Sequence, residues 1–295
     1  MATLRDIKRR INAVNNTAKI TQAMRMVSIA KLKRAQDAII SARPFTARLS
    51  DMLTSLVQAV GEEYSHHLIQ KRKTVNNVIV ILLGADKGMC GSFNTNIFRF
   101  THNLLNEELP KEYPGAKLHL IQVGKRAVIS FKDPKVNILK QYPTAFSPIS
   151  FDTAKDIVAT VSDMFINGQA DKVIVCFNMF KNLLVQIPTA LTLLPIEQKP
   201  VEVDKNKFNL NYIFEPDQKT ILDELLPRHL DIQMWRTLLE SNAAEQASRM
   251  IAMENATKNA NDLVKYLNLV YNKERQAAIT KEMLEIVGGA NAMGK

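Results

Sequence analysis

Apolar positions recur with helical spacing from 228 to 287, and neither glycine nor proline interrupts that stretch. Strong helix formers dominate it. Gly288 and Gly289 follow at once and predict a stop, because glycine takes the left-handed cap cheaply. At about 1.5 Å per residue this is one helix of roughly 90 Å. A compact domain of about 130 residues is only about 35–40 Å across, so the helix is expected to project beyond any globular body. Residues 1–43 also lack glycine and proline, and Thr3 with Asp6 predicts a capping pair at their start. Leu4, Ile7, Ile11, Val14, Ala18 and Thr21 keep the alternating three-four spacing of a coiled-coil seam. Met250, Met253, Thr257, Ala260, Val264, Leu267, Tyr271, Glu274 and Ala278 repeat it near the C-terminus. The two ends of the chain are therefore expected to pair as an antiparallel coiled coil. Thr21, Thr257, Ala260 and Glu274 stand where Leu or Ile would zip it well, so the pair is expected to need a sleeve around it.

The middle of the chain changes period. Pro44 is expected to kink the first helix, which runs on through Leu49, Leu53, Leu56 and Val60 to Gly61. A polar connector follows. Residues 75–83 form a buried-strand pattern, then come a glycine-containing turn, a helix over 94–109 and a strand over 118–123. A short helix at 125–131, a strand at 136–141, a helix at 153–166, a strand at 172–178 and an extended run at 183–196 complete the series. Strands alternating with helices predict a mostly parallel sheet. Residues 197–216 are a polar return, with Pro227 just before the long helix. The expected division is 1–74 for the N-terminal helix and connector, 75–214 for the α/β domain and 215–295 for the C-terminal helix.

Charge adds one feature. The net charge of +10 is concentrated at the N-terminus. Over 1–48 there are eleven basic residues (Arg5, Lys8, Arg9, Arg10, Lys19, Arg25, Lys31, Lys33, Arg34, Arg43 and Arg48) against Asp6 and Asp37, a balance of +9. The stretch 228–287 carries eight basic and eight acidic residues. A one-sided stripe predicts an acidic partner: nucleic acid, anionic lipid or carboxylate-rich protein. Hydrophobic content of 46% and charged content of 23% are those of a soluble globular protein. No apolar run reaches membrane-spanning length, and no signal-peptide core follows Met1. A transit peptide is set aside because the seam already begins at Leu4. Cys90 and Cys176, far apart, predict a reducing compartment without disulfides.

Catalytic chemistry finds little support. The turn Gly84-Ala85-Asp86-Lys87-Gly88-Met89-Cys90-Gly91-Ser92 follows a strand, yet it has neither GxGxxG spacing nor a GK[ST] ending. Cys90 has no histidine near it in sequence, and His66 with His67 lacks further metal ligands. No carboxylate dyad, Ser-His-Asp set or metal cluster is visible, so no catalytic site and no cofactor are expected.

Three blocks carry a family resemblance: IKRRINAVNNTAKITQAMRMVSIAKLKRAQ (7–36), ADKGMCGSFN (85–94) and the stretch 248–290, which includes NKERQAAITKEMLEIVGGA. They are similar to the γ subunit of rotary F-type ATP synthases, and the similarity spreads over essentially the whole chain. The resemblance implies an α/β fold class: a long antiparallel coiled coil of the two terminal helices with an inserted Rossmann-like α/β domain. It implies a central rotor shaft that couples proton flow through a c-ring to ATP synthesis or hydrolysis at the β subunits. Catalysis then belongs to other subunits. The implied partners are the α and β subunits, the ε subunit and the c-ring, with no nucleic acid and no membrane span of its own. The implied place is the cytoplasmic face of a bacterial inner membrane, peripherally.

Residue roles follow from the resemblance position by position. Met24 matches a position facing the acidic lever of the β subunit. Arg249, Arg275 and Gln276 match polar positions that engage β loops. Met283, Leu284, Ile286 and Val287 match a shaft tip turning in an apolar bearing. Arg9, Arg10, Lys31, Lys33 and Arg34 are assigned to the acidic lever by charge alone. The chloroplast-type regulatory insertion with its cysteine pair is absent from 199–216. The rival reading is a coiled-coil nucleic-acid-binding or scaffold protein using the basic helix, which predicts retention on DNA with steep salt dependence.

Overall fold

The computed structural model describes residues 3–60, 66–70, 72, 74–196 and 217–293. Helix α1 spans Leu4–Val60. Its start is the expected box: Thr3 N–H and Oγ1–H donate to Asp6 Oδ2 at 3.1 and 2.6 Å, and Asp6 N–H donates to Thr3 Oγ1 at 3.2 Å. These bonds hold the Asp6 carboxyl below its ordinary pKa. Pro44 lies inside the helix, which continues beyond it, and Leu49, Leu53 and Leu56 are buried.

A five-stranded sheet follows, built from β1 (Asn77–Leu83), β2 (Lys117–Val123), β3 (Asn137–Tyr142), β4 (Lys172–Phe180) and β5 (Gln186–Leu194). The strand order is β3-β2-β1-β4-β5. Strand β1 pairs in parallel with both β2 and β4, β2 pairs in parallel with β3, and β5 closes one edge antiparallel to β4. Val78 to Leu83 are wholly buried, as a central strand covered on both faces requires. Alternation sends Ile79, Ile81 and Leu83 to one side, where they meet helix α5 (Phe151–Ile166) through Ile157, Val161 and Phe165. Val78, Val80 and Leu82 go to the other side, onto Ile97 of α2 (Phe93–Asn103) and Ala127 of α4 (Lys125–Ser130).

Three elements depart from the expected boundaries. The helix predicted over 94–109 is α2 followed by a π turn, Leu104–Glu108, and a short helix α3, Leu109–Glu112. Pro110 at the start of α3 has no N–H to give to the preceding turn, so the wider π turn takes up the mismatch. Helix α6 runs Gln218–Met293 and includes Pro227, which was expected to precede it. Asp217 caps it by accepting from Lys219 N–H and Thr220 N–H. Leu226 and Leu230 on either side of Pro227 are buried in the core, and that packing outweighs the cost of about 3 kcal/mol for an interior proline. Gly288 and Gly289 do not stop the helix either. Each costs about 1 kcal/mol within it, less than the helical bonds that continue on both sides.

By its internal contacts the chain divides into Met1–Ile29 with Arg249–Lys295, and Ala30–Ser248. The larger unit contains the sheet and is clamped by polar contacts. Asp171, 5% exposed, accepts from Arg72 Nη1 at 2.7 Å and from the backbone N–H groups of Asn76 and Asn77 at 2.8 Å each. Buried Gln122 donates to the Ala127 and Phe131 carbonyls, closing the end of α4.

Candidate partner-binding surface of the helix pair

In the smaller unit the two chain ends form the expected pair. Ile7, Ala18 and Thr21 of α1, and Met253, Ala260 and Leu267 of α6, are buried. Leu4, Ile11, Val14, Met250, Thr257, Val264, Tyr271 and Ala278 are half-buried. The three-four spacing therefore marks the seam, except at Glu274, which is exposed. Thr21 and Thr257 face one another with their hydroxyl oxygens 2.8 Å apart. One turn away Arg25 pairs with Glu254 at 3.3 Å.

Counting outward from the threonine pair explains Glu274. An antiparallel register with Thr21 opposite Thr257 places Leu4, the first residue of α1, opposite residue 274. Beyond that point α6 has no further turn of α1 to pack against. Met283, Leu284, Ile286 and Val287 accordingly stand 61, 67, 71 and 56% exposed. Four large apolar side chains within five residues on a bare helix are a surface that water opposes, at about 25 cal/mol per Å² of apolar area.

The remaining predicted contact residues fall into three groups. Arg9, Arg10, Arg275 and Gln276 are exposed in the smaller unit, and Met24 is half-buried there. Lys31, Lys33 and Arg34 are exposed in the larger unit, with Lys33 paired to Asp37 at 3.0 Å. Arg249 differs. It is only 7% exposed and has a partner within the chain, so a partner-facing guanidinium is not what the fold presents. Sequence reading also passed over exposed apolar residues off the seam: Ile20, Met26 and Val27 on α1, and Tyr266 and Leu269 on α6. Their signal was available, since apolar residues between seam positions have no partner inside a two-helix pair.

The α/β unit fills the place where such sheets hold ligands. Open α/β sheets bind at the carboxyl ends of the strands, where the direction of strand succession reverses. Here that is between β1 and β4, and Ala244 of α6 packs there against Ala85, Cys90 and Phe93. Ala243, Ala244 and Ala247 are all fully buried, small enough to seat the helix closely. Within the same turn Met89 holds a positive φ of 59° and is 65% exposed. Asn94 Nδ2 donates to Cys90 Sγ, and burial pushes the Cys176 thiol up to about 12, so neither sulfur is placed as a nucleophile. Among the described residues no His, Cys, Asp or Glu cluster is arranged to hold a metal, and no helix is long and apolar enough to cross a membrane. A cleft of about 470 Å³ between α5 and the first turns of α6 contains Lys155, Glu224, Arg228 and Asp231. Burial raises the Asp231 carboxyl, and Lys155 and Arg228 pull it back. Its lining holds no Ser, Thr, Cys or His.

These features define a class: a chain whose α/β domain is inserted, in sequence, between two terminal helices that pair and leave an exposed apolar stretch near the end of α6. The comparisons give the family. A family model described as ATP synthase matches residues 3–293. The ATP synthase gamma chains of Chlorobium phaeobacteroides and Chlorobium limicola are 46% and 45% identical over 293 residues, covering 99% of both chains in each case. Among solved structures, a chain of the Euglena gracilis mitochondrial ATP synthase (OSCP/F1/c-ring) matches with a TM-score of 0.65 at 19% identity, covering 98% of this chain and 94% of that one. A chain of the Tetrahymena thermophila mitochondrial ATP synthase central stalk and c-ring matches with a TM-score of 0.57 at 23% identity, covering 80% and 99%. The chain belongs to the ATP synthase gamma chain family. The rival nucleic-acid reading finds no support among these relatives.

Proposed function

We propose that this chain is the central rotor shaft of an F-type ATP synthase and couples proton flow to nucleotide turnover carried out by other subunits. The α6 tip turns inside a ring of α and β subunits, and the α/β domain sits with the ε subunit on a c-ring. The complex lies at the cytoplasmic face of a bacterial inner membrane, with this chain peripheral to it. The observation that supports this reading best is the bare tip, where Met283, Leu284, Ile286 and Val287 are exposed beyond the first turn of α1. An apolar stretch so uncovered is the kind of surface that an apolar collar on another protein would bury.

Arg9, Arg10, Lys31, Lys33, Arg34, Met24, Arg275 and Gln276 supply the contacts to the β subunits. Arg275 and Gln276 are both exposed, although adjacent helix positions point about 100° apart. Neither is used by the seam. Charge-assisted hydrogen bonds from such groups contribute roughly 1.5–3 kcal/mol each. Made in some rotary positions and not others, they alter rates more than assembly.

The test is reconstitution of a complex of verified subunit composition. Arg275→Ala combined with Gln276→Ala should assemble normally and turn over ATP about tenfold more slowly, or worse, since about 1.4 kcal/mol of barrier is one decade. Wild-type turnover would reduce both to ordinary helix surface. Failure of the native chain to enter the complex would remove the shaft reading altogether.

A further inference from the structure

The threonine pair in the seam has more acceptors than it has protons. Thr21 Oγ1 lies 2.8 Å from Thr257 Oγ1. Thr21 Oγ1 is also placed to donate to the Ala18 carbonyl at 3.0 Å, and Thr257 Oγ1 to the Met253 carbonyl at 2.8 Å. Each hydroxyl carries one proton and two acceptor lone pairs. Two protons therefore serve three short contacts, and two of the three are made at any instant. Either Thr257 donates across the seam while Thr21 donates to Ala18, or Thr21 donates across while Thr257 donates to Met253.

If the helices part here, each proton turns to the carbonyl of its own helix. Two hydrogen bonds are present before opening and two after it. We infer that Thr21 and Thr257 form a self-satisfying latch, which opens without loss of a hydrogen bond and makes this the point where the helix pair yields first.

The surroundings agree. In the register set by the latch, Ala18 faces Ala260, so little apolar area is uncovered on the near side. On the other side, Met253 is buried in the seam and the half-exposed pair of Arg25 with Glu254 is a type of contact that water replaces at small cost. Ser28 is deeply buried, yet it too donates to its own helix, at the Met24 carbonyl 2.9 Å away. Towards the start of α1 the same register places Val14 opposite Val264 and Ile11 opposite Leu267, larger apolar pairs that resist separation. The soft point is therefore local.

An ordinary buried polar pair behaves differently. Deleting one partner leaves the other unsatisfied and raises local opening roughly fivefold to more than a hundredfold. The latch predicts otherwise, and Val is nearly isosteric with Thr. Once parted, each helix lacks the packing that stabilises it and its amides open to water. Amide hydrogen exchange of the full chain, read at residues 18–25 and 253–260, therefore separates the two cases. Thr21→Val or Thr257→Val alone should change exchange by less than about fivefold, because the remaining hydroxyl keeps its own carbonyl. The double substitution should slow exchange about fivefold or more, since each added methyl buried in the seam must be exposed on opening. A single substitution that speeds exchange fivefold or more overturns the latch. So does a double variant that slows exchange by less than that or speeds it. That the shaft yields here under load rests on the rotor reading. The exchange experiment uses the isolated chain, so it can fail or succeed independently of assembly and turnover.

Discussion

Asp171 offers the sharpest test of what holds the α/β unit together. Its carboxylate ties together the entrances to two strands, β1 and β4, at the amino end of the sheet. Oδ2 accepts from the N–H groups of Asn76 and Asn77, which lead into β1, while the residue itself leads into β4. Oδ1 meets Arg72 Nη1 at 2.7 Å. The guanidinium also donates to the Phe165 carbonyl at 2.6 Å and lies 5.2 Å from the centre of the Phe165 ring. Asp171→Ala therefore strips two backbone donors and one partly buried cation of their acceptor in a single step. Removing one member of a buried ion pair costs about 3–5 kcal/mol, and the two N–H groups keep the loss at the upper part of that range. For a unit of this size each kcal/mol shifts Tm by about 2–4 °C, so the variant should melt roughly 8–20 °C below wild type. Asp171→Asn retains an oxygen for the N–H groups and should lose less than half as much. The assay is thermal and urea unfolding of the purified chain, with Arg72→Ala included to complete a double-mutant cycle. A cost below about 1 kcal/mol for Asp171→Ala, or additivity of the Arg72 and Asp171 changes, would refute the clamp.

Two further outcomes are expected. Gly124 has φ of 95°, and a Cβ there would fall 2.1 Å from the Gly84 carbonyl oxygen. Gly124→Ala should therefore destabilise by about 2–5 kcal/mol, read as a lower urea midpoint, through strain and overlap together; a midpoint within error of wild type would mean the turn relaxes freely. Burial lowers the pKa of His229, and likewise of His66 and His119, below the ordinary 6.5. A depressed histidine leaves the folded state with fewer bound protons than the unfolded one, so stability is full above about pH 6.5 and declines as pH falls below it. The urea midpoint should drop between about pH 7 and about pH 5, and His229→Gln should drop less over that window; equal midpoints at the two pH values would contradict the burial argument.

What could be read from the sequence was whatever depends on local period. The seam spacing located Ile7, Ala18, Met253 and Leu267 in the buried line, because a helix repeats every 3.6 residues whatever surrounds it. The Thr3–Asp6 box and the strand runs were legible for the same reason, and the blocks at 7–36, 85–94 and 248–290 carried the family. Signals that compete with packing misled. Pro227 and Gly288 read as boundaries, yet α6 passes through both, because propensity costs of about 1–3 kcal/mol are smaller than what core packing and continued hydrogen bonding return. The regulatory-insertion reading at 199–216 lies outside the described residues.

Only the tertiary structure decided the rest, since it depends on which distant residues meet. Arg249 looked like surface and is buried. Asp171, which the sequence reading did not single out, holds Arg72 and the entrance to β1, about a hundred residues away in sequence. The glycine-containing turn after β1 lacks phosphate-loop spacing, and only the fold shows that Ala244 of α6 packs into its crevice. Thr21 and Thr257 each looked like a flaw in a seam, and their hydroxyl chain exists only because the fold brings together two residues 236 positions apart in sequence. Period is a property of one segment. Contact is a property of two, and no single segment encodes its partner.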